Sequence, residues 1–119
     1  MIKILRESSV AKSNSLSDRE KQLLVKTVSD YLDSYDSEQD RNAAAKRYVN
    51  GGDVLVYKGC RDMIDVAHEI IDNAKQDELP EDYLWDKDSF SFRDYAKDLE
   101  KNNPFLYCDG LGCYIELTF

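Results

Sequence analysis

The sequence predicts an α+β fold: a small sheet with a C-terminal β-hairpin, covered by several short amphipathic helices. Three observations carry that expectation. Apolar residues recur at three- and four-residue spacing in stretches that open on helix-capping residues. Short β-branched and aromatic runs lie between those stretches, and the chain closes on two such runs either side of Asp109-Gly110. No repeat, low-complexity linker or boundary breaks the pattern. The 119 residues therefore read as one domain, with a strand-and-loop arm over 1–15, a helical part over 16–50 and an acidic part over 51–119.

Each element has a local reason. Ile2-Lys3-Ile4-Leu5 reads as a short strand, and the polar stretch from Ser8 to Ser15 as a loop. Ser17-x-x-Glu20 is a capping box, in which the hydroxyl accepts the third backbone N–H and the carboxylate returns to the cap's own. Leu24, Val28, Tyr31, Leu32 and Tyr35 then mark one face of a helix over about 18–35. Ser37, with Asp40 three residues on, opens an Ala-rich helix that stops at Asn50-Gly51-Gly52.

Asp53 to Lys58 reads as a strand on its Val-Leu-Val-Tyr run. Asp62 is the N-cap of a helix to about Asn73 or Ala74, with Met63, Val66, Ala67, Ile70, Ile71 and Ala74 on its core face. Leu79-Pro80-Glu81-Asp82 begins a helical turn, since proline suits the first helical position and acids suit the positive end of the dipole. Ser91-x-x-Asp94 starts a last helix, with Tyr95, Ala96 and Leu99 inward and Asn102-Asn103-Pro104 as its stop. Phe105 to Cys108, the Asp109-Gly110 turn and Gly112 to Thr118 form the hairpin. The sheet is expected from strands near 2–5, 53–58, 105–108 and 112–118.

Charge narrows the function. The net charge is −8, from 24 acidic and 16 basic residues, which disfavours direct binding to phosphate backbones or anionic membranes. No apolar run is long enough to span a bilayer, and the N-terminus has neither a long apolar h-region nor a small-residue cleavage site, so a cytoplasmic protein is expected. The imbalance is local. Residues 1–50 hold nine basic and eight acidic side chains, whereas 51–119 hold seven and sixteen. Between Asp62 and Asp88 stand Asp62, Asp65, Glu69, Asp72, Asp77, Glu78, Glu81, Asp82, Asp86 and Asp88, opposed by Lys75 and Lys87. On the helix after Asp62 the acids recur every three or four residues, so Asp62, Asp65, Glu69 and Asp72 are expected to line the face opposite the core. That costs a few tenths of a kcal/mol per pair, as like charges at this spacing repel. At about 1.5 Å rise per residue the stripe places one carboxylate per roughly 5 Å, too sparse alone for a duplex with a phosphate per about 3.4 Å of each strand. A solvated acidic face that confers solubility reads the same charge without a partner.

Other chemistry finds less support. Cys60, Cys108 and Cys113 read as reduced thiols; a Cys3His zinc site completed by His68 has suitable ligand types but no finger or ribbon spacing. An EF-hand from Asp86 would need Gly at its sixth and Glu at its twelfth position, where Ser91 and Lys97 stand. No phosphate-binding loop or nucleophile elbow occurs. His68 reads as a boundary residue of the acidic helix rather than a general base. The expectation is a non-enzymatic protein without cofactor or metal.

Val54-Leu55-Val56-Tyr57-Lys58-Gly59-Cys60-Arg61-Asp62-Met63-Ile64-Asp65-Val66-Ala67 resembles the ArdA antirestriction proteins of plasmids, transposons and phages. The likeness is an aromatic strand end, a short loop, and Asp-Met-x-Asp-Val-Ala opening an acidic helix. Leu79-Pro80-Glu81 is similar to that family's apolar-Pro-Glu element. Phe90-Ser91-Phe92-Arg93-Asp94-Tyr95-Ala96-Lys97-Asp98-Leu99 is similar to its Phe-Asp-Tyr-Glu-Ala-Phe-Gly-Arg-Asp-Leu run, with Ser91 and Arg93 where the family has acids. The pieces come in family order over about residues 50–119.

The resemblance implies an acidic, dimeric mimic of bent duplex DNA that occupies the DNA groove of a type I restriction–modification enzyme, or of another DNA-binding defence protein. The ten acids above, joined by Asp94 and Asp98, then stand in for phosphates. Because the chain is shorter than ArdA proteins, a long mimic implies a homodimer. From another class, an acidic interaction module such as an immunity protein would cap a basic toxin or nuclease with one compact patch around aromatic anchors.

Overall fold

The structure, a computed structural model, describes residues 10–32 and 37–119. Its elements are β1 (Val10–Lys12), α1 (Asp18–Tyr31), α2 (Glu38–Asn50), β2 (Val54–Tyr57), α3 (Met63–Asn73), α4 (Glu81–Trp85), α5 (Phe92–Asn102), β3 (Phe105–Cys108) and β4 (Cys113–Leu117), with 3₁₀ turns at Ser13–Ser15 and Gln76–Glu78. The strands form one antiparallel sheet in the order β1-β2-β4-β3. The fold is α+β, with β3 and β4 as the C-terminal hairpin.

The sheet lies between two helical layers, and side-chain alternation assigns its faces. Val54 and Val56 of β2 and Cys113, Ile115 and Leu117 of β4 turn one way, onto Leu24 and Val28 of α1 and Ala44, Ala45 and Val49 of α2. Tyr57 and Phe105 turn the other way, onto Met63, Val66 and Ala67 of α3 and Ala96 of α5. Register fixes this division, as Val56 pairs with Ile115 and Tyr57 with Tyr114. Two separate apolar clusters result, one on each face.

The helix starts follow their caps. Ser17 accepts from the Glu20 N–H while the Glu20 carboxylate accepts from the Ser17 N–H, closing the expected capping box on α1. Ser37, Asp62 and Ser91 each accept from the backbone N–H three residues on. α2 stops as Asn50-Gly51-Gly52 predicts. Gly52 adopts φ +76°, its N–H bonds to the Val49 carbonyl, and the Asp53 N–H bonds to that of Tyr48, a Schellman pattern. The positive φ selects glycine at 52, and an added Cβ there would also press on the Asn14 side chain at 3.1 Å.

Four expectations need correction or placement. The strand near 2–5 lies outside the described residues, as does Tyr35, but α1 already stops at Tyr31, short of the expected 35, and Tyr31 is exposed rather than on the core face. Of the stretch Ser8 to Ser15, expected as a loop, the described residues 10–15 supply β1 and a 3₁₀ turn instead. β1 has three residues and too little alternation to stand out; pairing with β2 makes it a strand, and buried Ser13 locks its end by donating to the Val49 carbonyl at 2.7 Å. The hairpin turn is a four-residue loop, 109–112, whose left-handed residue is Gly112 (φ +67°) rather than Gly110. Leu111 and Gly112 N–H both bond to the Cys108 carbonyl and close it.

Candidate partner-binding surface

The acidic residues gather on the layer formed by α3, α4 and α5. Eleven of the twelve expected site residues are exposed there: Asp62, Asp65, Asp72, Asp77, Glu78, Glu81, Asp82, Asp86, Asp88, Asp94 and Asp98. Glu69 is the exception. It is buried, with 6% of its surface accessible, and its carboxylate accepts from the Asn73 side-chain amide at 2.9 Å. The stripe reading placed it beside Asp65 and Asp72. At 100° per residue it lies about 40° round the helix from Asp65, on the side of buried Val66. Glu69 is therefore removed from the exposed stripe.

Several of the remaining acids also build local structure. The Asp62 carboxylate accepts from the Asp65 N–H at 2.8 Å, and that of Asp65 accepts from the Arg61 N–H at 3.1 Å. This reciprocal arrangement starts α3 and places two negative charges at the positive end of its dipole. Glu78 accepts from the Lys75 N–H in the 3₁₀ turn. Asp86 accepts from the Ser89 hydroxyl at 2.7 Å and from the N–H groups of Asp88 and Ser89, which hold its carboxyl below the usual carboxylate range, the hydroxyl contributing most.

Aromatic contacts hold the segment between α3 and α5. Phe90 meets Tyr83, Phe92 and Tyr95 with ring centroids 5.3, 5.0 and 5.5 Å apart. His68 stacks on Phe92 at 3.7 Å, joining α3 to α5 as a boundary residue. Two recesses open on this layer. One, of about 550 Å³, has Asp82, Trp85, Asp86, Asp94, Tyr95 and Asp98 in its wall. The other, of about 370 Å³, lies between Lys58–Cys60 and the α3 residues Asp65, His68, Glu69 and Asp72. Asp62, Asp77, Glu78, Glu81 and Asp88 line neither.

Trp85 is the feature that the sequence reading missed. It is 81% exposed on the five-residue helix α4, beside Leu84 at 47%. A helix this short offers no periodicity from which to tell an inward from an outward residue. The available signal was compositional: the single tryptophan of the chain stands inside Glu81-Asp82-Tyr83-Leu84-Trp85-Asp86.

Among the described residues no group of His, Cys, Asp and Glu is arranged to hold a metal ion. The ligands of the zinc alternative separate: Cys108 and Cys113 pair across the hairpin on the α1/α2 side, whereas Cys60 packs in the α3/α5 cluster. All three cysteines are buried free thiols. Burial, reinforced by Glu69 and Asp65, pushes the Cys60 thiol up to about 11, away from nucleophilic reactivity. Among the described residues no helix is long and apolar enough to cross a membrane. Compared with protein-family models, curated proteins and solved structures, the chain matches none.

Proposed function

We propose that this protein is an ArdA-like antirestriction protein, a DNA mimic that acts in the cytoplasm as a homodimer. Its acidic layer occupies the DNA groove of a type I restriction–modification enzyme or of another DNA-binding defence protein. The observation that carries this reading is the exposure of eleven acids over α3, α4, α5 and the turns between them. Such a surface needs no cofactor and no bond-making step; it works by Coulomb attraction to Lys and Arg of the partner.

The geometry sets terms for the mimicry. With Glu69 buried, Asp65 and Asp72 are successive exposed acids on α3, about 10 Å apart along the axis. That helix alone is sparser than a phosphate strand. Asp94 and Asp98 on α5 are about 6 Å apart along the axis, closer than Asp65 and Asp72 but still sparser than one phosphate per ~3.4 Å of a strand. The surface is dense enough only when α4 and α5 join α3. The molecule's longest extent of 50 Å limits one copy to about fifteen base steps at ~3.4 Å each.

A second reading is favoured by one observation. Trp85, exposed among carboxylates, is the aromatic anchor expected of an immunity-type module that caps a basic toxin or nuclease. Competition separates the two. The protein should displace duplex DNA from a type I methyltransferase core, and displacement should weaken steeply as salt rises. Failure to displace DNA from any DNA-binding defence enzyme overturns the proposal.

A further inference from the structure

The groove beside Trp85 combines features with opposite solvent preferences. Four carboxylates, Asp82, Asp86, Asp94 and Asp98, stand in its wall, and no lining residue is basic. Of these, Asp94 and Asp98 lie four residues apart on α5, a spacing at which like charges destabilise a helix. The indole of Trp85, 81% exposed, shares that wall with the half-buried ring of Tyr95. Exposing a large aromatic and crowding carboxylates both cost stability, and both costs are relieved by one kind of occupant.

We infer that this groove docks an arginine side chain carried on a basic, extended segment of a protein partner. A guanidinium is planar, so it stacks on an indole while its N–H groups face carboxylates in the same plane. It also loses less hydration than an ammonium, and its bidentate pairing with a carboxylate is charge-assisted. A lysine meets the ring as a hydrated point charge, without planar stacking or a bidentate fork for the carboxylates. An apolar helix satisfies the ring and leaves four carboxylates desolvated without partners. A bare metal ion uses neither the ring nor the open spacing of the acids. The volume of about 550 Å³ accommodates an arginine together with its neighbouring backbone. The Ser89 hydroxyl, donating to Asp86 at 2.7 Å, fixes that carboxylate in the wall. The inference goes beyond the proposed function, because a restriction enzyme and a basic toxin would each supply such an arginine.

The chain supplies its own reporter, since Trp85 is its single tryptophan. The full-length protein is titrated with two blocked peptides, acetyl-Gly-Arg-Gly-Arg-Gly-amide and its lysine counterpart, at matched ionic strength. The arginine peptide should change the tryptophan emission saturably and bind about fivefold more tightly than the lysine peptide. D94N/D98N should weaken the arginine peptide about tenfold. Trp85→Ala, read by calorimetry, should bind both peptides equally, with circular dichroism confirming that this exposed substitution leaves the fold intact. Equal affinity of the unaltered protein for the two peptides overturns the inference, as does full arginine preference in Trp85→Ala. The outcome is separable from that of the proposed function. Arginine-selective binding without DNA displacement leaves the groove standing and removes the mimic; DNA displacement without arginine selectivity does the reverse.

Discussion

The two helical layers that cover the sheet are built to opposite ends. α1 and α2 give it Leu24, Val28, Ala44, Ala45 and Val49, all fully buried, and their charges nearly balance over residues 1–50. α3 and α5 cover the other face with a smaller set, and α4 adds no buried residue at all. The second layer exposes more acids than bases together with one tryptophan, although Arg93, Lys97 and Lys101 also face water on α5. One layer holds the fold together and the other displays a surface, with the four-stranded sheet as a common wall. The lesson is that most of the net charge of −8 lies in the layer on one side of the sheet rather than being spread over the protein.

That comparison breaks most readily in the core of the quieter layer. Leu24→Ala, at a fully buried position, should cost about 2–5 kcal/mol in urea unfolding. Trp85→Ala in the display layer should change stability by no more than about 0.5 kcal/mol, because the side chain is largely in water already. Comparable losses would contradict the division of labour. Next in size are the caps. Ser17→Ala on α1 and Asp62→Ala on α3 should each cost about 1 kcal/mol, the usual worth of an N-cap side chain. The two layers are therefore alike in how their helices begin and differ in what the helices bury.

Glu69 sharpens the same comparison within one helix. Glu69→Gln should leave DNA displacement within about twofold of the unaltered protein, since a buried carboxylate offers a partner no charge to pair with. Asp65→Asn with Asp72→Asn should weaken it. The smallest effect is on alkaline stability. The Cys60 thiol is raised from 9.0 to about 11 by burial first and by Glu69 next. Below pH 9 folded and unfolded chains both keep this proton and its contribution is complete. Between pH 9 and about 11 the unfolded chain releases it first, so unfolding becomes easier as pH rises. Tyr57, raised by burial and by Glu116, acts in the same direction from its ordinary value of 10.0 upward. Cys60→Ala should flatten the earliest part of that decline, measured as urea midpoints from pH 8 to 11.

How much was legible in the sequence depended on whether a signal was local. Caps and stops are written in three or four adjacent residues, which is why Ser17-Glu20, Ser37-Asp40, Asp62, Ser91-Asp94 and Asn50-Gly51-Gly52 all appear where they were expected. β1 was not legible, because three residues become a strand only through a partner more than forty positions away. Within the candidate surface, exposure of Asp65 and Asp72 followed from helical periodicity. Burial of Glu69 did not, since a rotation of only about 40° from Asp65 separates an exposed from a buried position on this helix. Trp85 required knowing that α4 packs through Tyr83 and turns its tryptophan outward.

The claim that the acidic layer, rather than net charge, meets the partner is tested most directly by two charge reversals of equal size. Asp65→Lys with Asp72→Lys alters the display layer, and Asp18→Lys with Asp30→Lys alters exposed positions on α1. Both are assayed for displacement of duplex DNA from a type I methyltransferase core, at one salt concentration and after matched melting curves. The account predicts that the first pair abolishes displacement and the second leaves it nearly intact. Equal loss from both pairs, or retained potency in the first, would contradict it.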